Sequence, residues 1–204
     1  MCTLKLLLSK LDIRVRLTES KVFTLKPLIL VTGPPGIGKT SILRRTVKEL
    51  KNRKYEVGGM ICCEVREGGV RVGFEIMDLS TGTRGWLAHV NQPTGPRIGK
   101  YHVNLTDLDV IGVGSILDAL QNADILAVDE IGPMELLSTA FSNALVKAVE
   151  SSKPMLGTIH YGLRNSLVNS IKTREDAEIL KVTYKNRENI HNLIANKMSE
   201  YLTS

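Results

Sequence analysis

The 204-residue chain suits one domain, or one domain with a small insertion, and its 43% hydrophobic and 24% charged content is that of an ordinary globular fold. A net charge of +6 suits anionic partners such as nucleotides, nucleic acid or an acidic surface, yet no dense basic run appears and solvated lysines and arginines account for it equally well. Aromatics at 4% weaken any reading built on base-stacking platforms, three cysteines with two of them adjacent (Cys2, Cys62, Cys63) exclude a disulfide framework or zinc site and point to a reduced cytoplasmic setting, and the start Met1–Leu11 is too short and too charged for a signal-peptide core or a membrane span.

In chain order, Leu11–Leu17 alternates apolar and polar residues and predicts a strand with one wet face. The apolar run Leu28–Thr32 predicts a buried strand. After a glycine-rich turn, Thr40–Arg53 places Ile42, Leu43, Thr46, Val47 and Leu50 at helical spacing. Val57–Val65 and Val70–Met77, joined across Arg66-Glu67-Gly68-Gly69, read as a hairpin, and Gly85–Val90 continues the meander. Asn91–Lys100 holds two prolines and two glycines and reads as a loop before a strand at Tyr101–Leu105.

Ser115–Asn122 predicts a short helix and Asp124–Asp129 a buried strand. Ser138–Ser151 carries the stripe Phe141, Leu145, Ala148, Val149 behind a cap at Ser138 or Thr139. Pro154–Ile159 and Ile179–Thr183 are strands, and Asn186–Leu202 is a closing helix. Strands alternating with helices predict an α/β fold with a mainly parallel sheet flanked by helices, the meander forming an antiparallel extension of it. Residues 1–26 form an extension of open role before a domain spanning 27–204.

The segment Gly33-Pro34-Pro35-Gly36-Ile37-Gly38-Lys39-Thr40 matches G-x-x-x-x-G-K-[ST] at every position, between a predicted strand and a predicted helix. Glycines let backbone N–H groups turn inward around a polyphosphate, and the helix aims its positive end at the same place. Lys39 is expected to reach the β- and γ-phosphates and the Thr40 hydroxyl to bind Mg²⁺. Asp129 ends the strand Asp124–Asp129, where a Walker B carboxylate would hold the same Mg²⁺ through water; Glu130 follows as the candidate base for an attacking water. The implied ligand is Mg²⁺ with ATP or another nucleoside triphosphate.

These motifs, with Glu64-Val65-Arg66-Glu67-Gly68-Gly69 followed by Arg71 and Gly73-Phe74, Gly95-Pro96-Arg97-Ile98-Gly99-Lys100-Tyr101, and Asp129-Glu130-Ile131-Gly132-Pro133-Met134-Glu135, resemble in order and spacing the THEP-type nucleoside-triphosphatase family. The resemblance runs from about Leu28 to the C-terminus. It implies a RecA-like P-loop fold and Mg²⁺-dependent hydrolysis of several nucleoside triphosphates with loose base preference. It also implies that Leu126-Ala127-Val128-Asp129-Glu130-Ile131-Gly132-Pro133 lines the nucleotide site. Gly132-Pro133 stands where Gly-Lys is expected in many relatives; if a lysine there touches phosphate, this chain lacks that contact.

Of the basic residues in the insert, Arg97 in its Pro/Gly loop is the first candidate for stabilising the transferred phosphoryl group, ahead of Arg66, Arg71 and Lys100. His160 at a strand end reads either as a sensor of the γ-phosphate or as a surface residue. Asn186-Arg187 reads either as a base contact or as a helix cap beside an exposed arginine. Trp86 reads as a core residue ahead of a base stack. Two rival classes share the scaffold. In a nucleoside, nucleotide or polynucleotide kinase, the insert Glu64–Lys100 would supply the lid or acceptor pocket. A nucleotide switch is disfavoured by Glu130. A nucleic-acid partner stays open, and the sequence sets no oligomeric state.

Overall fold

A computed structural model describes residues 26–203; the strand expected over Leu11–Leu17, and all of the segment 1–26 but Lys26, lie outside the described residues. Buried Lys26 donates from Nζ to the carbonyls of Ala148 (3.2 Å) and Val149 (2.8 Å), near the end of the helix that Ser138 caps. It thereby satisfies carbonyls that a helix C-terminus leaves open.

The described strands are β1 (Leu28–Thr32), β2 (Val57–Glu67), β3 (Val70–Asp78), β4 (Arg84–His89), β5 (Arg97–Ile98), β6 (Tyr101–Val103), β7 (Ile125–Ile131), β8 (Met155–Ile159) and β9 (Ala177–Lys181). They form one sheet of nine strands in the order β5-β6-β4-β3-β2-β7-β8-β1-β9. β2, β7, β8, β1 and β9 run parallel to their neighbours in that half of the sheet. From β2 outward through β3, β4, β6 and β5 the pairing is antiparallel. The expected parallel α/β core with an antiparallel extension is therefore what the chain builds.

The helices are α1 (Lys39–Asn52), α2 (Leu105–Asp107), α3 (Gly114–Asn122), α4 (Thr139–Glu150), α5 (Ser166–Lys172) and α6 (Ile190–Thr203). α1 and α6 cover one face of the sheet; α3, α4 and α5 cover the other. Along β1, Ile29 and Val31 join the cluster under α1 and α6, while Leu28 and Leu30 join the opposite one. Burial on both faces explains why β1 and β7 read as unbroken apolar runs. α1 buries Ile42, Leu43, Thr46, Val47 and Leu50, the stripe its periodicity predicts. Ser138 caps α4, its Oγ accepting from Phe141 N at 2.9 Å.

Several boundaries differ from expectation. The loop Asn91–Lys100 contains strand β5, and the strand expected through Leu105 stops at Val103, because Asn104 accepts from Asp107 N (3.1 Å) and starts α2. A π-helical segment, Leu108–Val113, links α2 to α3; its glycine at 112 sits against Ile76 and Met60, a close approach that hydrophobic periodicity does not report. α5 was not expected either, although Asn165 caps it by accepting from Val168 N at 3.2 Å. The last parallel strand lies at Ala177–Lys181 rather than Ile179–Thr183, and the final helix begins at Ile190 rather than Asn186. The Asn186 side chain is the reason: Oδ1 accepts from Thr183 N (2.8 Å) and Nδ2 donates to Lys181 O (3.0 Å), which holds the chain in turns.

Candidate functional site

The loop Gly33–Thr40 joins β1 to α1. Gly36 and Gly38 hold φ of 74° and 105°, a region closed to most side chains. Ile37 anchors the loop, 4% exposed, and donates from its amide to Pro34 O at 3.2 Å. Gly38 caps α1 with no side-chain acceptor, and no acidic residue lies in the first turn. The first intrahelical bond is Ile42 N to Gly38 O, 2.9 Å. The N–H groups that begin α1 are thus open to an anion, at the positive end of a 14-residue helix.

Lys39 folds back over the loop. Its Nζ donates to Gly33 O (3.3 Å) and lies 3.6 Å from Glu130 Oε1, with the lysine side chain 11% and the glutamate side chain 30% exposed. Glu130 Oε1 is buried and has no hydrogen-bond donor. Its neighbour Asp129 is 1% exposed; Thr158 Oγ1, on β8, donates to Asp129 Oδ1 at 2.5 Å, and Oδ2 is without a hydrogen bond. Burial pushes the Asp129 carboxyl up to about 6, opposed by the hydroxyls of Thr158 and Thr40, while the Glu130 charge pushes the same way as burial. Two strands converge here because β7 and β8, parallel neighbours, both end at the edge where the loop begins. Their pairing breaks between Val128 and Ile131, and the Asp129–Glu130 peptide is cis.

Leu126, Ala127, Val128 and Ile131 are fully buried in β7 and support the two carboxylates from below. Gly132 and Pro133 begin the turn that leads to a 3₁₀ segment at Glu135–Leu137. His160 donates from its backbone N to Ile131 O (3.1 Å), which sets it beside this edge, and its Nδ1 is buried without a partner.

Two residues escaped the sequence reading. Thr158 is the one polar residue in the strand Met155–Ile159, and a buried hydroxyl requires a partner; that signal was available. Glu135 is 4% exposed, and burial raises its carboxyl to about 8; its own N–H and that of Gly132 counteract this, and the charges of Glu130 and Asp129 add to it. The thiol of Cys62, whose Sγ lies 4.0 Å from Glu135 Oε1, is raised well above the usual range by burial and then by the charges of Glu135 and Asp129, against a backbone hydrogen bond at Glu130.

The insert residues lie elsewhere. Arg97 is on β5, seven places from β1 in the sheet, or about 34 Å along it at about 4.8 Å per strand. Its Nε donates to Gly99 O (2.8 Å). The structure does not bring Arg97 to the glycine loop, because the Pro/Gly segment closes a hairpin with β6 instead of folding over the site. Trp86, on β4, packs its ring 4.5 Å from that of His89, also away from the loop. Lys100 sits 5.4 Å from the Tyr101 ring centroid, and Arg66 and Arg71 both pair with Glu64.

Among the described residues no group of three or more His, Cys, Asp or Glu side chains is placed to hold a metal. Mg²⁺ is ordinarily held by one or two carboxylates together with substrate phosphates. A hydroxyl at Thr40 and a buried Asp129 with an unpartnered oxygen fit that pattern. No described helix is long and apolar enough to cross a membrane.

Residues 28–195 match the model of a family described as NTPase. The chain is 48% identical over 160 residues to the nucleoside-triphosphatase THEP1 of Thermofilum pendens, covering 78% of this chain and 88% of that protein. It is 42% identical over 170 residues to the protein of the same name from Methanosarcina acetivorans, covering 83% and 95%. Among solved structures, THEP1 of Aquifex aeolicus superposes with a TM-score of 0.75 at 26% identity, covering 83% of this chain and 98% of that one. A human cancer-related nucleoside triphosphatase superposes with a TM-score of 0.72 at 33% identity, covering 85% and 98%. With the loop, the sheet order and the sequence all in agreement, the chain belongs to the NTPase family that these nucleoside-triphosphatases share.

Proposed function

We propose that the protein hydrolyses nucleoside 5′-triphosphates, ATP and GTP among them, to the diphosphate and phosphate in a Mg²⁺-dependent reaction. The observation that carries this reading is the 3.6 Å approach of Glu130 Oε1 to Lys39 Nζ, at the mouth of an uncapped helix. A carboxylate oxygen held there, buried and accepting no hydrogen bond, stands where the last phosphate of a bound chain would meet the lysine.

The open N–H groups of the loop and of α1 hold the β- and γ-phosphates. Lys39 exchanges Gly33 O and Glu130 for phosphate oxygens, which frees Glu130 Oε1. That oxygen orients a water in line with the γ-phosphorus and takes its proton. The water oxygen forms the new P–O bond, the bond to the β–γ bridging oxygen breaks, and its electron pair leaves with the diphosphate. Thr40 and Asp129 would hold Mg²⁺, which when bound supplies positive charge to the β- and γ-phosphate oxygens. Thr158, by donating to Asp129 Oδ1, leaves Oδ2 as the outward acceptor. With Arg97 remote, charge stabilisation beyond Lys39 comes from the loop amides and from a basic group other than Arg97, in this chain or a partner.

Kinase chemistry on the same loop needs a closing lid. The insert Glu64–Lys100 is spent on strands β2 to β5 of the sheet, which favours water as the acceptor. The test is incubation with γ-labelled ATP and Mg²⁺, alone and with nucleosides, nucleotides or RNA ends. Release of free phosphate independent of any acceptor is the expected result; label transferred to an acceptor overturns the reading.

A further inference from the structure

The site described above leaves the nucleoside end of the substrate without a place. Glu130 and Asp129 lie at the end of β7, with β8 between β7 and β1. A triphosphate with its γ-phosphate at Lys39 and Glu130 therefore runs along the loop away from β7. On the other side of β1 lies β9, followed by the turn 182–189. That turn is flush with the loop: Val182 N donates to Thr32 O at 2.7 Å, and a Cβ on Gly33 would meet Val182 O at 3.1 Å and Val182 Cβ at 3.3 Å.

From this turn Tyr184 stands out, 78% exposed, with the Arg187 guanidinium 5.3 Å from its ring centroid. The backbone beneath it is pinned. Asn186 holds Thr183 N and Lys181 O through its side chain, Arg187 N donates to Thr183 O (3.1 Å), and Glu188 is tied to Arg45 of α1 at 3.0 Å. Apart from the Arg187 contact, a large ring held on a pinned turn and left in water buries little on folding, whereas aromatic rings and guanidinium planes are good surfaces for a nucleobase.

We infer that Tyr184, with Arg187, is the stacking surface for the base of the bound nucleotide. This rests on the reading of Gly33–Thr40 as the phosphate site. The loose base preference that the family resemblance implies agrees with such a surface: a π-face is common to every base, and Asn186, the amide nearest to hand for reading a base edge, already has both amide atoms engaged. Sparse aromatics are no obstacle, since one base needs one ring.

The test is calorimetric titration of the full chain, with Mg²⁺, by the β,γ-imido triphosphates of adenosine, guanosine and cytidine, and by inorganic tripolyphosphate, which has no base. Tyr184→Ala is expected to weaken all three nucleotides about tenfold while leaving tripolyphosphate within about twofold; Tyr184→Phe restores nucleotide binding. Lys39→Ala weakens tripolyphosphate and nucleotides together, which marks the phosphate site separately. Unchanged nucleotide affinity in Tyr184→Ala, an equal loss for tripolyphosphate, or loss of a single base type overturns the stacking surface. A wild-type protein that binds neither tripolyphosphate nor nucleotide overturns the phosphate reading and this one with it.

Discussion

The parallel half of the sheet is centred on strands buried on both faces, whereas the antiparallel extension is built from half-exposed ones, and the two place polar residues by different rules. In β7, β8, β1 and β9 every strand ends at the same edge. Asp129 and Glu130 near the end of β7, His160 after β8, the glycine loop after β1 and Tyr184 after β9 come from four separate stretches of sequence and share one rim. In β3, β4, β6 and β5 successive ends fall on opposite edges, and each strand carries its residues about 4.8 Å further out. Arg97 and Trp86, both plausible from their neighbours in sequence, are carried away by that geometry. Strand ends in a parallel sheet thus gather residues at one rim, whereas turns in a meander carry theirs away from it.

Lys39 carries the largest expected effect in the parallel half. Lys39→Ala removes the cation of the parallel rim, and phosphate release is expected to fall about 10³-fold or more with an unchanged circular dichroism spectrum. Near-normal turnover would put the chemistry outside the loop. Next, Glu130→Gln should lower kcat about 10²-fold or more and leave nucleotide affinity nearly intact, since only the transition state uses that carboxylate as a base. Lost affinity with normal kcat at saturation would make Glu130 a ligand instead.

A smaller effect is expected one layer below. Thr158→Val takes away the donor to Asp129 Oδ1, and the Mg²⁺ concentration for half-maximal activity should rise about tenfold. An unchanged Mg²⁺ dependence would mean that Asp129 needs no orienting partner.

Glu135 sharpens the same half through pH. Burial raises its carboxyl from the ordinary 4.5 to about 8 in the fold. Between those values the folded chain binds a proton that the unfolded chain lacks, so this group's contribution is fully present below 4.5 and is lost as pH rises towards 8. Above pH 6, where Asp129 too is ionised in the fold, Glu135 accounts for up to about 1.4 kcal/mol of falling stability per pH unit. Denaturant titrations at pH 6 and pH 8 should show that slope in the wild type and a flatter one in Glu135→Gln. Equal slopes would place the proton elsewhere.

The smallest expected effect belongs to the extension. Arg97→Ala should hydrolyse within about twofold of wild type, as exposed arginines away from a site usually contribute little. A 10³-fold loss would show that β5 meets the nucleotide after all, from this chain or from a second copy.

What the sequence alone determined was local. The loop from Gly33 to Thr40, the buried stripe of α1, the hairpin at Gly68-Gly69 and the Ser138 cap rest on interactions within a few residues, where spacing and side-chain type are enough. Asp129 and Glu130 were also legible, because an apolar strand ending in two carboxylates is an uncommon pattern beside a glycine loop. The start of α6 is not legible locally, because Asn186 serves a cap and a turn equally well; its bonds to Thr183 and Lys181 decide for the turn. Tertiary structure alone decided the rest: that Arg97 lies seven strands from β1, that Thr158 and Glu135 close around the carboxylates, and that Tyr184 stands beside the loop. Strand order is set by which apolar faces bury one another across the whole chain, and no window of neighbouring residues contains that choice.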